Sequence, residues 1–403
     1  MAASPALQPQ PLHAAVHGAG PTGALTALAL ADAGWRVTLR DPLDAAQLQG
    51  RSRAYAFNHS SRRLLEQLDL WGALAPVMVP FRRLQLRDQP LGREVPFTLA
   101  DLPPGARSGA DAAVGWIGLH GPLMAVLLER LQAHPAVRLQ LGPAAPVSPA
   151  AGPAVAAAAG TAEPPADLVV AADGPASPHR QALGIGLWHR PYRQSCLTAQ
   201  VELRGSDDDQ AWELFRPEGP FAVLPLGQGR FQLVWSAPAA RCRQLEALDG
   251  AAFLDGLAGA LPGALQPDAL LDQPRAFPVA LLLARRLGRG RTVLVGESAH
   301  RCHPVGGQGL NLCWRDVAAL HRLARQVAAG RLRPGRLPAR YGRQRWPDLL
   351  LTLLATDLLV RLFSNRHPLL LPLRHLALAL LAALAPLRRL SLAVMTQGPC
   401  RPW

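Results

Sequence analysis

The first pattern along the chain is an apolar run that ends at His17 and precedes the hexapeptide GAGPTG (residues 18–23). An apolar, alanine-rich segment follows, then a turn at Gly34 and a short segment, RVTL (residues 36–39), that favours a second strand. Short apolar runs bounded by glycine are typical of buried strands, whereas the longer alanine-rich stretch favours a helix. The pattern therefore predicts a strand, a glycine-rich turn, a helix and a second strand.

The middle and the end of the chain have different patterns. Alternating apolar and polar positions predict antiparallel strands over residues 197–203, 221–226 and 230–236. After Asp316 the chain is expected to be helical, and residues 341–398 are very apolar but interrupted by Arg361, Arg366, Arg374, Arg388 and Arg389. The longest uncharged run there, residues 376–387, is too short for a membrane span of about 20 residues. We expect this tail either to lie on a membrane surface or to form a helical pair that covers the nucleotide-binding domain.

Composition narrows the class of protein. A chain of 403 residues, 49% of them apolar, is long enough for two or three domains and too apolar to be disordered. All 42 basic residues are arginine, which excludes a P-loop lysine and Schiff-base chemistry. The net charge of +14 suits anionic partners, although it could equally serve solubility. The arginines are dispersed and no nucleic-acid-binding motif accompanies them, so we expect no nucleic-acid partner.

The cysteines argue against a disulfide framework and against a metal site. There are five of them, an odd number, and no CxxC pair, which fits a reducing compartment. Cys302 lies close to His300 and His303, but the motif described below explains those positions better, so no metal is expected. The N-terminus lacks the features of a secretory signal. These observations predict a cytoplasmic protein, which could be peripheral on the inner face of the membrane.

The glycine-rich turn has the chemistry of a dinucleotide site. Gly18 permits a tight turn, Gly20 lets the backbone approach a pyrophosphate, and Gly23 allows the helix to pack closely on the strand. The N-terminus of the helix offers N–H groups and partial positive charge to phosphates. Asp41, 23 residues after Gly18, can accept hydrogen bonds from ribose hydroxyls. This motif alone does not choose between FAD and NAD(P).

Two later segments add a second set of cofactor contacts. In DLVVAADGPASPHR (167–180), a predicted strand over 168–172 leads to Asp173 and Gly174. In TVLVGESAHRCHPVGGQGLNLCWRD (292–316), a predicted strand over 292–295 ends at Gly296 and Glu297, and a glycine-rich turn precedes a helix that starts near Leu310. Glu297 could bind a polyol chain, and the N–H groups of the turn could stabilise negative charge on a reduced flavin.

These segments resemble the DG and GD motifs of the single-component (class A) flavoprotein monooxygenases, whose general forms are ADGxxSxxR and GDAAHxxxPxxGQGxNxGxxD. The first motif is matched at Asp173, Gly174, Ser177 and Arg180. The second is matched at Gly296, Ala299, His300, Pro304, Gly307, Gln308, Gly309, Asn311 and Asp316. The resemblance implies that the chain binds FAD.

The resemblance also implies roles for individual residues. It places Asp173 and Gly174 near the FAD pyrophosphate and the path of NADPH, and Glu297 at the ribityl chain. Arg53, in RSRAYAF, matches the arginine of the family's DxRaxAL segment and would contact the cofactor near its phosphates. The residues expected to border the flavin ring are Pro304, Gly307, Gln308, Gly309, Leu310 and Asn311. His300 would lie near the flavin without acting as acid or base, and no side chain is assigned a catalytic role, because the flavin performs the chemistry.

Two departures from the family pattern bear on activity. Glu297 stands where the GD motif normally has aspartate, one methylene shorter, which could change flavin affinity or position. The segment IGLHGPLM (117–124) lacks the arginine that the family carries near the position of Gly121, and His120 is the candidate substitute.

One branch of the family matches most of the chain. AWELFRPEGPFAVLPL (211–226) resembles the segment of the ubiquinone-biosynthesis hydroxylases in which a strand covers the substrate face of the flavin. TDLLVRLFSN (356–365), LPLRHLAL (371–378) and LRRL (387–390) resemble the C-terminal region of the same enzymes. The candidate lining of the substrate pocket, for which core packing is an equal explanation, is Trp212, Phe215, Phe221 and Leu224.

The implied reaction is hydroxylation of a polyprenylated phenol or quinone precursor, with NAD(P)H as electron donor, O2 as cosubstrate and a flavin hydroperoxide as the oxygenating species. A partner complex for quinone biosynthesis would be compatible with this role. The alternatives are a non-catalytic accessory that binds FAD or a prenyl lipid, and a flavoprotein reductase or halogenase of the same fold.

The expected fold class is α/β. We predict a Rossmann-like FAD-binding domain of the glutathione-reductase type, an interposed and mostly antiparallel β-sheet substrate domain, and a helical C-terminus. The predicted FAD-binding domain is discontinuous (12–77, 115–192 and 276–340), the substrate domain comprises 78–114 and 193–275, and the helical region is 341–398. Residues 143–165, rich in alanine and proline, are interpreted as a loose loop.

Overall fold

The computed structural model describes residues 12–107, 109, 111–145 and 165–400. The loop predicted over residues 143–165 therefore falls almost entirely outside the described residues. The strands predicted over 36–39, 168–172 and 292–295 are present, with bounds that shift by one or two residues. The helix expected near Leu310 begins at Gln308.

A six-stranded sheet forms the nucleotide-binding half of the molecule. Five of its strands are parallel and a short antiparallel strand closes one edge. In sheet order the strands are Val137–Leu141, Arg36–Asp41, His13–His17, Leu168–Ala171, Thr292–Leu294 and the edge strand Gly288–Arg289. We call this the parallel sheet. Its parallel strands bring the segments that follow His17, Ala171 and Leu294 to the same edge, which is where ligands bind in such sheets.

The helix Pro21–Asp32 starts at the first glycine-rich turn and is buried over nine successive residues, from Gly23 to Ala31. Its alanines permit close packing on both sides. On one of these sides it meets the helix Gln308–Ala328, where the Trp35 indole nitrogen donates to the Ala324 carbonyl at 3.2 Å. The two glycine-rich turns are thus held together through the helices that follow them.

A nine-stranded sheet, here called the large sheet, contains the alternating segments of the middle of the chain. All three predicted strands are present, within Leu187–Arg204, Gly219–Gly227 and Arg230–Pro238. The sheet is antiparallel apart from one parallel pairing, between Arg83–Asp88 and Gln210–Arg216. Its remaining strands are Arg93–Thr98, Gln266–Leu270, Arg275–Ala284 and His300–Arg301.

The two faces of the large sheet have different partners. One face, the outer face, is covered by the helices Ala239–Glu246 and Gly250–Ala258 and carries a core that includes Phe253. The opposite face, the inner face, turns toward the 304–309 segment and the C-terminal helices. Side chains alternate between the two faces along each strand. Once one side chain of a strand is known to lie on the inner or the outer face, the faces of its neighbours follow.

A smaller three-stranded sheet contains Ala54–Phe57, Gly115–Leu119 and Met78–Phe81. The remaining helices of four residues or more before the C-terminal region are Ala45–Gln49, His59–Gln67, Trp71–Leu74, His120–Ala133 and Pro178–Ala182. Among them, His120–Ala133 packs on the helix Pro21–Asp32 from the side of the parallel sheet's first strands.

The C-terminal region is helical, as predicted. The long helix Leu337–Phe363 is followed by Leu370–Ala383 and Ala385–Gln397, which we call the terminal helices. Within the described part of the chain, no single helix has the length and hydropathy of a membrane span; the terminal helices pass that test as a pair, but they meet at a bend of 99°. The predicted pair exists: its first helix packs against the strand Arg93–Thr98 of the large sheet, and its second helix packs against the helix His59–Gln67 of the nucleotide-binding half.

Buried ion pairs fix the terminal helices to the large sheet. The Arg374 guanidinium donates to both carboxylate oxygens of Asp88, at 2.8 and 3.1 Å, and neither side chain is exposed. Arg388 donates to the buried Asp101 at 2.8 Å. Two of the five arginines that interrupt the apolar tail, Arg374 and Arg388, therefore dock the tail on the rest of the protein.

Candidate active site

The first glycine-rich turn excludes side chains at two positions. Gly18 has a φ of +98°, and a Cβ added there would lie 2.3 Å from the Ala172 carbonyl oxygen. A Cβ at Gly23 would lie 1.7 Å from the Gly18 carbonyl oxygen. At Gly20, which caps the helix Pro21–Asp32, no atom lies within 4 Å of an added Cβ. The space in front of Gly20 and the N-terminus of the helix fit a pyrophosphate group.

Asp41 holds this turn in place. It ends the strand Arg36–Asp41 and is buried. One carboxylate oxygen accepts from the Ala19 backbone nitrogen at 2.6 Å, and the other accepts from that of Leu43 at 2.9 Å. A carboxylate has about four acceptor sites, so both oxygens retain capacity for the ribose hydroxyls predicted to bind here.

The DG motif lies beside the first turn and contains a histidine pair that sequence reasoning missed. Asp173 Oδ2 accepts from the ring Nδ1 of His179 at 2.8 Å and from its backbone nitrogen at 3.2 Å. The His179 ring packs on that of His17, with 4.1 Å between centroids. Burial lowers the pKa of His17 to about 3, so this ring stays neutral near neutral pH. Gly174 follows with a φ of +81°.

Asp173 has one oxygen that a ligand could use. Burial tends to raise the pKa of Asp173, but hydrogen bonds from His179 and Ser177 outweigh it and hold the pKa below its ordinary value. Its Oδ1 is buried and has no hydrogen-bond partner among the described residues. A buried, unpaired carboxylate oxygen is costly unless a ligand or water supplies a donor. The geometry therefore fits the predicted place of Asp173 at the cofactor.

The GD motif begins with a strained turn that the buried Asp316 stabilises. Gly296 has a φ of +68°, and its backbone nitrogen donates to Asp316 Oδ2 at 2.9 Å. Glu297 is more exposed, and its carboxylate lies 3.2 Å from the Nε nitrogen of Arg301, four residues further along the chain. The family's shorter aspartate would not extend as far toward Arg301. The predicted contact of Glu297 with the ribityl chain stays a prediction.

His300 belongs to a buried ionic network rather than to an open pocket. Its Nε2 lies 2.6 Å from Asp316 Oδ2, and Arg345 of the long helix donates to Asp316 Oδ1 at 2.7 Å. Arg345 also pairs with Asp348, which Arg315 contacts at 2.9 Å. Burial tends to raise the pKa of Asp316, but His300 and Arg345 outweigh it and lower the pKa. The network ties the GD motif to the long helix.

Residues 304–309, here called the GGQG loop, turn sharply before the helix Gln308–Ala328. Gly306 and Gly307 have φ values of +66° and +61°, and a Cβ at Gly307 would lie 2.8 Å from that of Ala56. The Gly307 nitrogen donates to the Pro304 carbonyl at 3.0 Å. Gly309 has open space where a Cβ would be added. These features leave backbone N–H groups accessible at the start of a helix, as a reduced flavin would require.

Asn311 locks the GGQG loop to the small sheet. Its amide nitrogen donates to the carbonyls of Ala56 at 2.7 Å and Gly307 at 2.8 Å. Its oxygen accepts from the Asn58 nitrogen at 3.0 Å and the Ser61 hydroxyl at 2.7 Å. Asn311 is buried and its hydrogen-bonding capacity is thus used inside the protein.

Gln308 of the GGQG loop and Leu310, which follows it, contact other parts of the protein. Leu310 packs against the core of the nucleotide-binding half. The Gln308 amide donates to the Met395 carbonyl at 3.2 Å, so the last terminal helix touches the GGQG loop. This contact was not anticipated from the sequence, because 87 residues separate the two positions.

Arg53 and His120 adjoin at the ends of two paired strands of the small sheet, where the His120 backbone nitrogen donates to the Arg53 carbonyl at 2.8 Å. The Arg53 guanidinium stacks over the Phe277 ring, 4.8 Å from its centroid. The candidate substitute for the missing arginine, His120, is buried, with Nδ1 2.9 Å from the Tyr55 hydroxyl and Nε2 2.7 Å from the Leu48 carbonyl. Both ring nitrogens are engaged by the protein, so His120 is structural and the cation near Gly121 is not replaced by it.

The four predicted pocket residues divide between the two faces of the large sheet. Phe215 and Leu224 lie on the inner face, where the Phe215 ring stacks on that of Phe363 with centroids 4.1 Å apart. Trp212 and Phe221 belong to the outer-face core, and their assignment to the pocket is therefore corrected. Trp212 and Phe215 are three positions apart in one strand, and an odd difference in position places two side chains on opposite faces. This signal was available in the sequence.

Glu213 is the inner-face residue that sequence reasoning missed. It lies between Trp212 and Leu214, both in the outer-face core, and its Oε2 accepts from the Gly306 nitrogen of the GGQG loop at 3.3 Å. It is buried, with 8% of its surface exposed. Burial raises the pKa of its carboxyl to about 7.

The first turn and the DG and GD motifs thus meet at one edge of the parallel sheet, where they provide the donors and open backbone that a dinucleotide requires. A second glycine loop beside the large sheet adds a place for a redox-active ring. Together they define an FAD-binding flavoprotein of the monooxygenase fold. Within the described residues, no group of three or more His, Cys, Asp or Glu side chains could hold a metal ion.

Comparison with known proteins agrees with this class. Residues 154–347 match the FAD binding domain family. The chain is 31% identical to 3-demethoxyubiquinol 3-hydroxylase of Escherichia coli, over 92% of this chain and 94% of that protein. It is 34% identical to ubiquinone hydroxylase UbiL of Rhodospirillum rubrum, over 96% of this chain and 90% of that protein. The chain therefore belongs to the family of FAD-dependent ubiquinone-biosynthesis hydroxylases.

Solved structures share the fold at lower sequence identity. The p-nitrophenol 4-monooxygenase PnpA of Pseudomonas putida superposes with a TM-score of 0.74 at 19% identity, covering 96% of this chain and 99% of that one. HpxO of Klebsiella pneumoniae, solved with FAD and uric acid, superposes with a TM-score of 0.70 at 18% identity, covering 96% and 98%. These comparisons bear on the fold, and they agree with a mixed-sheet flavoprotein that has a helical C-terminus.

Proposed function

We propose that the chain hydroxylates the ring of a polyprenylated phenol or quinone precursor, with NAD(P)H as electron donor and O2 as cosubstrate. The observation that carries the proposal is an apolar cluster between the inner face and the C-terminal helices. It starts at Val305 in the GGQG loop and includes Val95, Phe97, Phe215, Leu226, Val360, Phe363, Leu378 and Leu392. An apolar wall that begins beside the flavin suits an aromatic substrate with a hydrocarbon tail. The names of the two relatives support the same substrate class.

The protein's part in this reaction is to bind, orient and exclude water. Bound FAD would supply the electron transfer and the oxygen chemistry. We propose that it binds as in glutathione-reductase-type domains, with its phosphates at Gly20 and its ring at the GGQG loop. The terminal helices close the inner face from solvent, which protects the reacting centre from water. The hydrogen bond from the Gln308 amide to the Met395 carbonyl holds the second terminal helix, which contributes to this apolar cluster, against the GGQG loop.

The visible absorption spectrum of the purified protein tests the proposal. Anaerobic NADPH should bleach the flavin, and a prenylated phenol should make the bleaching faster. On admitting O2, NADPH consumption should be coupled to oxygenated product. Flavin that NADPH never reduces would instead favour a non-catalytic accessory, and NADPH consumption without oxygenation would favour a reductase.

We also propose that the protein is cytoplasmic and contacts the inner face of the membrane through its C-terminal helices. Among the described residues, eleven of the fifteen large hydrophobic side chains that are markedly exposed lie between Leu350 and Leu390. On the terminal helices they recur every three or four residues, at Leu369, Leu373, Leu376, Leu380 and Leu384. Such a stripe is typical of an interfacial helix, and exposed Arg366 and Arg389 could meet anionic head groups.

Vesicle sedimentation tests the membrane contact. Replacing Leu369 and Leu373 by aspartate should reduce binding to vesicles of phosphatidylglycerol and phosphatidylcholine by tenfold or more, because each removes apolar contact and adds repulsion. Leu248→Asp, at an exposed leucine elsewhere, is the matched control and should bind as the unaltered protein does. Equal loss in the control, or no loss in the double variant, would contradict the assignment of this surface.

A further inference from the structure

We propose that Glu213 is the proton acceptor for the phenolic hydroxyl of the substrate. This inference rests on the proposed function, because it requires a phenol between the large sheet and the GGQG loop. In the step, the phenol O–H bond breaks, the proton passes to Glu213 Oε1, and the electron pair stays on the phenol oxygen. The ring thereby becomes more electron-rich and more easily oxygenated.

The position of Glu213 is set by the strand Gln210–Arg216. Residues Ala211 and Phe215 of this strand lie in the inner-face cluster, and Glu213 has the same parity. Its Oε2 accepts from the Gly306 nitrogen, in the loop that the family resemblance places beside the flavin ring. The carboxylate is therefore the acidic group of the large sheet that directly contacts the GGQG loop.

The structure shows little other reason for a carboxylate at this place. Within the described part of the chain Glu213 has no ion-pair partner, and the hydrogen bond from Gly306 is its one side-chain hydrogen bond. Oε1 is not paired by any described residue. A buried carboxyl that lacks a cation destabilises the fold, which points to a role in binding or chemistry. Asp88, further along the same sheet, differs because Arg374 neutralises it.

The titratable groups on the surrounding elements leave Glu213 as the one suited to this proton transfer near neutral pH. Burial raises the pKa of the Cys196 thiol to about 12, so it stays protonated. Burial lowers the pKa of His303, in the segment leading to the GGQG loop, to about 3, so it stays neutral. The pKa of Glu213, raised to about 7 by its burial, lies between them, close to the optimum for a general base at physiological pH. The other charged groups on the elements packed against this face are paired or stacked: Arg53 lies over Phe277, Asp88 pairs with Arg374, Asp101 pairs with Arg388, and Asp357 of the long helix pairs with Arg361. Burial and Asp357 raise the pKa of the Tyr192 phenol, so it also stays protonated.

Glu213→Gln separates proton transfer from a purely structural role. Glutamine keeps an oxygen that can accept from the Gly306 nitrogen, but it cannot take a proton. We expect the phenol-dependent turnover number to fall about 100-fold, within the usual range for general-base catalysis. The unaltered enzyme should gain turnover as pH rises through about 7, and Glu213→Gln should lack this limb. The FAD content of the purified variant, read from its visible absorbance, reports separately on whether the cofactor site is intact.

A binding measurement tests the inference without turnover. Perturbation of the oxidised flavin spectrum would give dissociation constants for a geranylated phenol and for its O-methyl ether. At pH 8 the unaltered protein should prefer the phenol by tenfold or more, because the ether leaves the carboxylate unpaired. This preference should decline below pH 7, and Glu213→Gln should show a smaller, pH-independent preference. Glu94→Gln, the same change at a more exposed site of the large sheet, is the matched control and should behave as the unaltered protein does.

The outcomes are distinguishable. If Glu213→Gln keeps both the pH limb and the preference for the phenol, the inference is overturned and Glu213 merely supports the GGQG loop. If neither ligand perturbs the flavin spectrum, the proposed function fails together with this inference. Should Glu213→Gln not retain FAD, Glu213→Asp provides the test: it keeps a carboxylate withdrawn by one methylene, and we expect the pH limb to persist at a reduced rate. A flat pH profile in Glu213→Asp would overturn the inference.

Discussion

Arg374→Met should release the terminal helices from the large sheet. Arg374 donates to Asp88 through Nε at 3.0 Å and through a terminal nitrogen at 2.8 Å, and it also donates to the Asn365 carbonyl at 3.0 Å. Neither charged side chain is exposed. Removing the arginine leaves a buried carboxylate without its cation, which costs about 3–5 kcal/mol.

This cost should appear as local opening rather than as unfolding of the whole chain. A multidomain flavoprotein does not unfold in two states, and the terminal helices dock through a limited apolar surface. Hydrogen exchange in peptides from Leu370–Ala383 measures that opening directly. A loss of 3 kcal/mol corresponds to exchange faster by roughly 100-fold, since each 1.4 kcal/mol is a factor of ten.

Two further variants test whether the Asp88–Arg374 pair docks the terminal helices. Arg366→Met changes an exposed arginine of the same region and should leave exchange unaltered. Asp88→Leu combined with Arg374→Met removes both charges and should recover most of the protection, because apolar replacement of a buried pair is often neutral. If Arg374→Met exchanges like the unaltered protein, or if the double variant is as unprotected as the single one, the pair does not dock the helices.

Three other predictions concern the nucleotide-binding half. Gly23→Ala should reduce the FAD content of the purified protein by tenfold or more, because the added Cβ would lie 1.7 Å from a carbonyl oxygen. Gly72→Ala is the control and should keep its FAD, because no atom lies within 4 Å of a Cβ added there. Equal FAD content in the two variants would contradict this account of the packing at Gly23. Burial lowers the pKa of His59 to about 4. Between pH 6.5 and 4 the unfolded chain therefore binds a proton that the folded chain does not. As the pH falls through this range, the free energy of unfolding should decrease by up to about 1.4 kcal/mol per pH unit. His59→Gln, which keeps a donor to the Ala113 carbonyl, should therefore lose less in thermal midpoint between pH 7 and 5, and an identical loss would refute this account. Asn311→Asp replaces two donated hydrogen bonds by repulsion between the carboxylate and the carbonyls of Ala56 and Gly307. The thermal midpoint should therefore drop and FAD should be released. An unchanged thermal midpoint with FAD still bound would show that the loop adjusts to the carboxylate.

The sequence by itself determined the nucleotide-binding framework and the flavin class. Gly18, Gly306 and Gly307 have positive φ values, and a Cβ at Gly23 would meet the carbonyl oxygen of Gly18; these requirements involve only a few neighbouring residues and are therefore visible in the sequence. Strand and helix periodicity is equally local, so four strands of the parallel sheet, three strands of the large sheet and the helical C-terminus were predicted from the sequence.

The tertiary structure decided which residues meet. Alternation showed that Trp212 and Phe215 must point in opposite directions, but which direction faces the GGQG loop depends on what packs against each side of the sheet. The docking of Arg374 on Asp88 joins positions 286 residues apart, and its partner could not be chosen among so many arginines and carboxylates. The sequence likewise does not show which groups surround Glu213, so this residue was interpreted as an ordinary polar residue of a strand. Its burial, its lack of a cation and its contact with the GGQG loop arise from long-range packing, which local sequence patterns do not encode.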